Sequence, residues 1–274
     1  VQIPLPQKRM NHIFKRQLFG LPITELTALL TRRSVYCSKT ANGKYSICEI
    51  FKNSEGNIRF KPMDHDWKNG RCLSCSANEA NYKRSLELET HAYQFIHTKN
   101  LKELFKMKFD VIIGNPPYQL SDGGNAASAI PIYHKFVRQA KLLNPRYLSM
   151  IIPARWYTGG RGLDDFREEM IQDERIRVLH DFTNASDCFP GVEIKGGVCF
   201  FLWDRDNNGL CRTFTHKANG VVTEAIRPLQ EKGLEIFVRH SKLLSILKKV
   251  QSKNENPFSN IVSANDPFGF DVRE

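Results

Sequence analysis

This chain of 274 residues has no glycine before Gly20, and it contains no apolar run long enough to span a membrane. The missing glycines exclude a glycine-rich cofactor-binding turn from the first 19 residues. The missing apolar run and the lack of a signal-peptide pattern argue against a membrane-spanning or exported chain. We therefore expect a cytoplasmic protein that does not enter membranes.

Acidic residues are scarce at the start of the chain, where Glu25 is the only one in residues 1–40. The whole chain has a formal net charge of +11. An excess of positive charge favours a polyanionic partner such as a nucleic-acid backbone, although a solvated helical face explains the same pattern. The basic residues of this stretch are Lys8, Arg9, Lys15, Arg16, Arg32, Arg33 and Lys39.

The chain has seven cysteines, and thiols in a cytosolic protein are more often free or metal-bound than paired in disulfides. Cys72 and Cys75 form a Cys-x-x-Cys knuckle inside residues 37–84, a polar, turn-rich segment with little apolar material of its own. A structural zinc ion would stabilise such a segment. We therefore predict a tetrahedral zinc site with the ligands Cys37, Cys48, Cys72 and Cys75. His65 is an alternative fourth ligand, and four unbound thiols are the alternative to a metal site.

The most informative segment is Asn115-Pro116-Pro117-Tyr118, which directly follows an apolar, β-branched run at 109–114. Such a run is typical of a buried parallel strand, and open α/β sheets bind ligands beyond the carboxyl ends of their strands. The Asn115 side chain and the Pro116 carbonyl offer two hydrogen-bond acceptors, and Tyr118 offers a flat face for stacking. The pattern predicts a pocket for a planar ring that carries an exocyclic amine.

Adenine N6 has this donor pattern, but its lone pair is delocalised into the ring, so it is a poor nucleophile. Two acceptors would stabilise the positive charge that develops as the nitrogen attacks an electrophilic carbon. An ordinary strand-to-loop turn, which Asn-Pro sequences commonly open, is the alternative interpretation.

With its preceding strand, this motif resembles that of the gamma-type N6-adenine DNA methyltransferases of restriction–modification systems. The resemblance implies S-adenosylmethionine as methyl donor and double-stranded DNA as substrate, with the adenine flipped out of the duplex into the pocket. It implies that Asn115 and Pro116 bind the adenine amino group and that Tyr118 stacks on the base. It also implies that Asn115 and Pro117 contact the cofactor.

Phe189 lies in a loop at 187–192 that resembles a Phe-Pro loop of the same enzymes. The resemblance implies that Phe189 stacks on the second face of the flipped base, opposite Tyr118. A buried phenylalanine with a packing role is the alternative.

Apolar periodicity predicts an alternation of strands and helices. The predicted strands are 17–23, 91–97, 109–113, 147–152 and 176–182, followed by a hairpin of 197–203 and 210–214. The predicted helices begin after Thr24 and occupy 130–143, 162–174 and 234–250, and a glycine-bearing loop is predicted at 121–125. Thr24 should cap the first helix, which carries on one side Leu26, Leu29, Leu30 and Arg33.

This order predicts the α/β class: a doubly wound, Rossmann-like methyltransferase sheet with an antiparallel edge hairpin and a small cysteine-bearing insertion. We divide the chain into four segments. They are the start of a truncated methyltransferase core (1–36), the inserted cysteine-bearing segment (37–84), the catalytic half of the core (85–216), and a linker with the start of a target-recognition domain (217–274).

The resembled family has a glycine-rich turn that grips the methionine part of the cofactor, and no counterpart precedes 17–23. Where that family has an acid for the cofactor ribose, this chain has Pro22, and the closest acid is Glu25. We therefore expect the chain to be a piece of a longer restriction–modification polypeptide. The alternatives are a methyltransferase that acts on RNA or on protein glutamine, and a non-catalytic DNA-binding module.

Overall fold

The computed structural model describes residues 5–82, 92–105, 107–120, 130–217, 220–256 and 261–262. The loop predicted at 121–125 and the first residue of the strand predicted at 91–97 lie outside this part of the chain.

The described residues form eight α-helices, two 3₁₀ turns and eight strands. The helices are α1 (Pro6–Arg16), α2 (Glu25–Tyr36), α3 (Glu79–Tyr82), α4 (Gln94–His97), α5 (Leu101–Phe105), α6 (Tyr133–Leu142), α7 (Asp164–Gln172) and α8 (Leu243–Gln251). The 3₁₀ turns are η1 (Ala154–Tyr157) and η2 (Ala185–Asp187). The strands are β1 (Trp67–Lys68), β2 (Arg71–Cys72), β3 (Val111–Gly114), β4 (Tyr147–Pro153), β5 (Ile176–Phe182), β6 (Val198–Asp204), β7 (Cys211–His216) and β8 (Val222–Arg227).

Six strands form one mixed sheet in the order β3-β4-β6-β5-β7-β8. The β3–β4 and β5–β7 pairs are parallel, and the other pairs are antiparallel. The predicted α/β class is therefore confirmed, and the strand predicted at 176–182 has the observed bounds of β5. Because β3 is first in the order, its backbone groups have a neighbouring strand on one side only among the described residues.

The main core lies on one face of this sheet. Alternate residues of β4 and β6, such as Leu148, Ile152 and Phe201, are fully buried there. Both α6 and α7 pack on them, through residues such as Val137 and Phe166. The apolar stripe predicted for α7 is confirmed, because all four of its members are buried: Leu163, Phe166, Met170 and Ile171.

The opposite face of the sheet is more open. Val111, Ile113 and Ile226, which point to this side, are 55%, 78% and 66% exposed. In its middle, His180 stacks between the rings of Phe200 and Phe214 at centroid distances of 4.4 and 4.3 Å. The helices α6 and α7 both pack on the other face, with the main core, and the doubly wound arrangement stays a prediction.

The predicted hairpin of 197–203 with 210–214 is wrong. Both segments are strands, β6 and β7, but β5 lies between them and pairs with each. The antiparallel hairpin at the sheet edge is formed instead by β7 and β8. The sequence pattern showed two adjacent apolar runs, but the pairing of β5 with both strands depends on long-range packing that local periodicity does not encode.

The strand predicted at 17–23 is also absent from the structure. Gly20 makes a single parallel bridge to Ile58, and this segment then leads into α2. The predicted cap is confirmed, because the Thr27 amide donates to the Thr24 hydroxyl oxygen at 3.0 Å.

The side of α2 that carries Leu26 and Leu30 is exposed. Leu26 and Leu30 are 66% and 54% exposed, and the buried residues of the helix are Ala28, Arg32 and Tyr36. Arg32 turns inward because its guanidinium donates to Glu55 at 2.7 Å and to the Ile58 carbonyl at 3.0 Å.

Two further predicted elements change at their ends. The last four residues of the strand predicted at 91–97 form the short helix α4, and the helix predicted at 234–250 begins at Leu243.

Residues 222–227 lie in the segment predicted as a linker, but they form β8 of the main sheet.

The buried carboxylate of Asp173, which follows α7, forms hydrogen bonds with residues of α6 and β6. Burial raises the pKa of Asp173, but hydrogen bonds from Arg175, Lys141 and the Trp203 indole outweigh it and lower that pKa to about 2. The Lys141 ammonium lies 2.7 Å from this carboxylate. Asp173 is therefore ionised at neutral pH, and it ties the end of α7 to α6 and β6.

Candidate functional site

The Asn-Pro-Pro-Tyr segment lies at the carboxyl end of β3, as the sequence predicts. β3 ends at Gly114 and runs parallel to β4, in register with Met150. Asn115 is exposed, whereas Pro116 is buried under it. This arrangement leaves the Asn115 amide accessible at the edge of the sheet where α/β proteins bind their ligands.

A cavity of about 430 Å³ adjoins this segment. One wall is β3 with Asn115, Pro116 and Pro117, and the facing wall is the segment from Gln17 to Leu21. The aromatic side of the cavity is built by Phe109, whose ring meets Phe19 at 5.7 Å and Phe105 at 4.8 Å edge to face. The cavity is mostly apolar, and its polar side chains are those of Gln17 and Asn115, so it suits a ligand with a large apolar or aromatic part and few polar groups.

Tyr118 does not line that cavity. Its hydroxyl is buried and makes no hydrogen bond within the described residues. Burial raises the pKa of Tyr118 to about 12, and the thiols of Cys188 and Cys199 add to the rise. Cys188 belongs to the loop that follows η2.

Phe189 lies in that same loop and is half-buried. The loop is a tight turn, because the Phe189 amide donates to the Ala185 carbonyl at 2.8 Å and its own carbonyl accepts from Val192 at 3.0 Å. Gly191 has a φ of 78°, a left-handed conformation that glycine adopts without strain. The stacking of a base between the rings of Tyr118 and Phe189 stays a prediction.

The backbone of Tyr118 is fixed to the start of α6. The Ile132 amide donates to the Tyr118 carbonyl at 3.1 Å, and the Leu120 amide donates to the Ile130 carbonyl at 2.9 Å. Gln119 and Pro131 form a bridge between these two bonds. Residues 118–120 and 130–132 therefore form one short β-ladder beside the site, which we call the site ladder.

The basic residues near the start of the chain separate into two groups. Arg32 is buried and paired with Glu55, so it has a structural role rather than the DNA-contacting role predicted for it. The other predicted residues are exposed, and they are Lys8, Arg9, Lys15, Arg16, Arg33 and Lys39.

The predicted zinc ligands do not all come together. Cys37 is exposed, and Cys48 is buried in a separate apolar cluster with Tyr36 and Ile58. Neither joins a group of metal-binding side chains in the described residues. The prediction of Cys37 and Cys48 as ligands is therefore wrong, because Cys48 fills a core position beneath α2 instead.

Cys72 and Cys75 instead lie with two histidines. The four ligand atoms of His65, Cys72, Cys75 and His97 are all within 4.8 Å of one another. His65 is the ligand that the sequence offered as an alternative, and its Nδ1 lies 3.4 Å from the Cys75 Sγ. His97 was missed, because it stands 22 residues beyond Cys75 and inside a segment predicted as a strand. A spacing of Cys-x-x-Cys followed by a distant histidine could have indicated it.

The fold and the Asn-Pro-Pro-Tyr site together define a class of methyltransferase-like α/β proteins. The chain belongs to the Eco57I restriction-modification methylase family, whose model matches residues 16–189. A curated relative from Mycoplasma pneumoniae, described as an uncharacterized adenine-specific methylase, is 38% identical over 233 residues. That alignment covers 76% of this chain and 55% of the relative, so the chain spans about half the length of that protein.

Solved structures of restriction–modification enzymes are more remote. A nuclease-deletion mutant of the Type ISP enzyme LlaGI, in complex with a DNA substrate mimic, has 13% identity and a TM-score of 0.43, covering 89% of this chain and 20% of that one. A type I methyltransferase subunit from Streptococcus thermophilus has 11% identity and a TM-score of 0.32, covering 61% and 36%. At this low similarity the two structures add nothing about the site.

Among the described helices, none has the length and hydropathy needed to cross a membrane.

Proposed function

We propose that this chain forms the target-base half of a DNA methyltransferase that transfers a methyl group from S-adenosylmethionine to adenine N6, within a restriction–modification system. One observation carries the proposal: Asn115–Tyr118 stands at the carboxyl end of a parallel strand, in a chain of the Eco57I methylase family. The sequence of this motif assigns the chain to the gamma type. Double-stranded DNA is the proposed substrate, and a cytoplasmic location stays a prediction.

The proposed role of each residue follows from the chemistry of three side chains and one backbone carbonyl. The Asn115 amide oxygen and the Pro116 carbonyl accept hydrogen bonds from N6, so that charge developing on this nitrogen meets two acceptors already in place. Tyr118 and Phe189 stack on the two faces of the extruded base. S-adenosylmethionine supplies the electrophilic methyl group when it is bound.

The cofactor contacts proposed for Asn115 and Pro117 agree with the position of the cavity, because both residues line it. No glycine precedes Gly20, so residues 1–19 supply no glycine-rich cofactor turn. The cavity lies between β3 and residues 17–21. The division of the chain at 36/37, 84/85 and 216/217 stays a prediction.

The function is tested by methyl transfer from labelled S-adenosylmethionine, using the polypeptide that carries this chain. We expect label in duplex DNA and N6-methyladenine among its digested nucleosides, because the pocket recognises an aromatic ring with an exocyclic amine. RNA of the same sequence and a glutamine-bearing protein extract are the matched acceptors. Label in RNA or glutamine, with none in DNA, would overturn the DNA assignment and leave the pocket chemistry in place.

Two substitutions of Tyr118 distinguish stacking by its ring from hydrogen bonding by its hydroxyl. The Tyr118→Ala variant should bind a duplex with an extruded or mismatched adenine about 10- to 100-fold more weakly, since base stacking on an aromatic residue contributes about 1–3 kcal/mol. Tyr118→Phe should bind as the wild type does, because the buried hydroxyl makes no hydrogen bond within the described residues. Fluorescence of 2-aminopurine at the target position reports the stacking directly. Equal fluorescence changes with all three proteins would contradict the proposed role.

A further inference from the structure

We propose that His65, Cys72, Cys75 and His97 bind one structural zinc ion, and that this ion holds the inserted segment against the base-binding site. The four side chains offer two thiolates and two imidazoles, the donor set that favours tetrahedral zinc. Three ligands come from the segment before α3, and the fourth is the last residue of α4. The ion thus joins two parts of the chain that are distant in sequence.

Two sulfur–nitrogen distances in the cluster match those of a tetrahedral centre. With Zn–S bonds of about 2.3 Å and Zn–N bonds of about 2.0 Å, a sulfur and a nitrogen ligand lie about 3.5 Å apart. Cys72 Sγ is 3.5 Å from His97 Nε2, and Cys75 Sγ is 3.4 Å from His65 Nδ1. All four atoms lie within 4.8 Å of one another, so small movements of the side chains bring them to bonding distance of one ion.

The hydrogen bonding of His97 directs its free nitrogen to the centre. Its Nδ1 lies 2.8 Å from the Tyr93 carbonyl oxygen. A carbonyl can only accept, so Nδ1 carries the proton and Nε2 keeps the lone pair that faces Cys72. Such a backbone contact to the second ring nitrogen is the usual support of a metal-bound histidine.

The local backbone presents both thiols to one point. Asn69 and Gly70 have φ values of 52° and 72°, which close the β1–β2 hairpin and lead directly into Cys72. The Ser76 amide then donates to the Cys72 carbonyl at 2.9 Å, and Ser76 itself is left-handed with a φ of 66°. This turn keeps the Cys72 and Cys75 side chains on the same side of the knuckle.

Aromatic rings shield the four ligands from solvent. Trp67 stacks on His65 at a centroid distance of 4.7 Å, and Tyr82 meets the same imidazole edge to face at 4.9 Å. Both thiols are buried. A closed, shielded site with four protein ligands indicates a structural ion rather than a catalytic one.

The knuckle is packed against the frame of the base-binding site. The Lys135 ammonium, on α6, donates to the Ser74 carbonyl at 2.6 Å. Cys72 and Cys75 share one apolar cluster with residues on both sides of the site ladder and on α6, namely Ile96, Leu120, Ile132 and Phe136. Leu120 and Ile132 are the two residues whose amides complete the ladder next to Tyr118. The ion therefore supports the backbone that positions the Tyr118 ring.

X-ray absorption on the zinc-loaded, reduced wild-type protein tests the ligand set without any substitution. We expect two sulfur neighbours at about 2.3 Å and two nitrogen neighbours at about 2.0 Å. Four sulfur neighbours would overturn the proposal and restore Cys37 and Cys48 as ligands. Failure of the reduced protein to take up zinc would overturn it as well.

Substitutions assign the ligands one by one. Cys72→Ala and His97→Ala should each lower the zinc bound per chain from one to well below one at a limiting zinc concentration. Cys48→Ala and His12→Ala are the matched controls, because neither residue belongs to the cluster, and both should keep one zinc. Equal zinc content in all four variants would contradict the proposal.

Metal removal tests the link to the site. After chelation, amide hydrogen exchange at Leu120 and Ile132 should accelerate at least tenfold, while exchange in β5 stays unchanged. Unchanged exchange at Leu120 and Ile132 in the metal-free protein would overturn the link. These readouts do not involve methyl transfer, so the zinc proposal and the proposed function fail separately.

Discussion

Asn115→Ala should lower the rate of methyl transfer to duplex DNA about 10²- to 10³-fold, the loss seen when one preorganised hydrogen-bonding group is removed from a site of developing charge. The Asn115 side chain is exposed at the end of β3, so its truncation leaves no cavity in the core. Asn115→Asp keeps an acceptor oxygen and should retain more activity than Asn115→Ala. The measurement is single-turnover transfer from labelled S-adenosylmethionine at saturating DNA.

Asn208→Ala is the matched control for this experiment. Asn208 is also an exposed asparagine, and it lies in the turn between β6 and β7. We expect the wild-type rate from this variant. A rate for Asn115→Ala within a factor of three of the control would remove the catalytic role of Asn115 and leave the motif as a strand-to-loop turn.

DNA binding by the same variant separates an enzyme from a non-catalytic DNA-binding module. The exposed basic residues of α1, including Lys8 and Lys15, favour contact with a phosphate backbone in either case. If Asn115→Ala loses methyl transfer and keeps its affinity for duplex DNA, the site acts in catalysis. If it loses affinity and no protein form transfers methyl groups, the module interpretation replaces the enzyme.

Local sequence patterns predicted the elements that build the site well. The strand before Asn115, the helix at 133–142 and the strand at 176–182 each have an apolar repeat that only one type of element explains. The Thr24 cap was predictable for the same reason, because its hydrogen bonds reach only three residues along the chain.

Pairing between distant segments was not predictable in this way. The insertion of β5 between β6 and β7 depends on which face of each strand is buried beneath α6 and α7, and no local pattern records that choice. The metal-binding cluster shows the same limit. The Cys72–Cys75 knuckle is a local signal, but its partners His65 and His97 are brought in by the folding of the whole segment.

The end of the predicted core is the other place where long-range contacts decide the structure. Residues 217–274 are predicted as a linker with the start of a target-recognition domain, but Phe237 is 3% exposed in the main core and its amide donates to the Tyr157 carbonyl at 3.1 Å. Arg239 makes two hydrogen bonds to the Asp181 carboxylate, at 2.8 and 2.6 Å. Asp181 is 2% exposed, so this ion pair fixes the later segment to β5.

Arg239→Leu should therefore destabilise the protein by about 3–5 kcal/mol, because it leaves the Asp181 carboxylate buried without its partner. The double variant Asp181→Leu, Arg239→Leu should recover part of that loss, since two apolar residues replace the pair without an unpaired charge. The free energy of unfolding, from urea denaturation at neutral pH, measures both effects.

Arg212→Leu is the matched control. Like Arg239, Arg212 pairs with a carboxylate and lies over an aromatic ring, but its partner Glu224 is exposed. Exposed ion pairs contribute little, so we expect an unfolding curve close to that of the wild type. If Arg239→Leu behaves like this control, the segment around residue 239 folds apart from the sheet, as the predicted boundary at 216/217 requires. If only Arg239→Leu is destabilised, the core extends at least to Arg239, and any separate recognition domain begins after it.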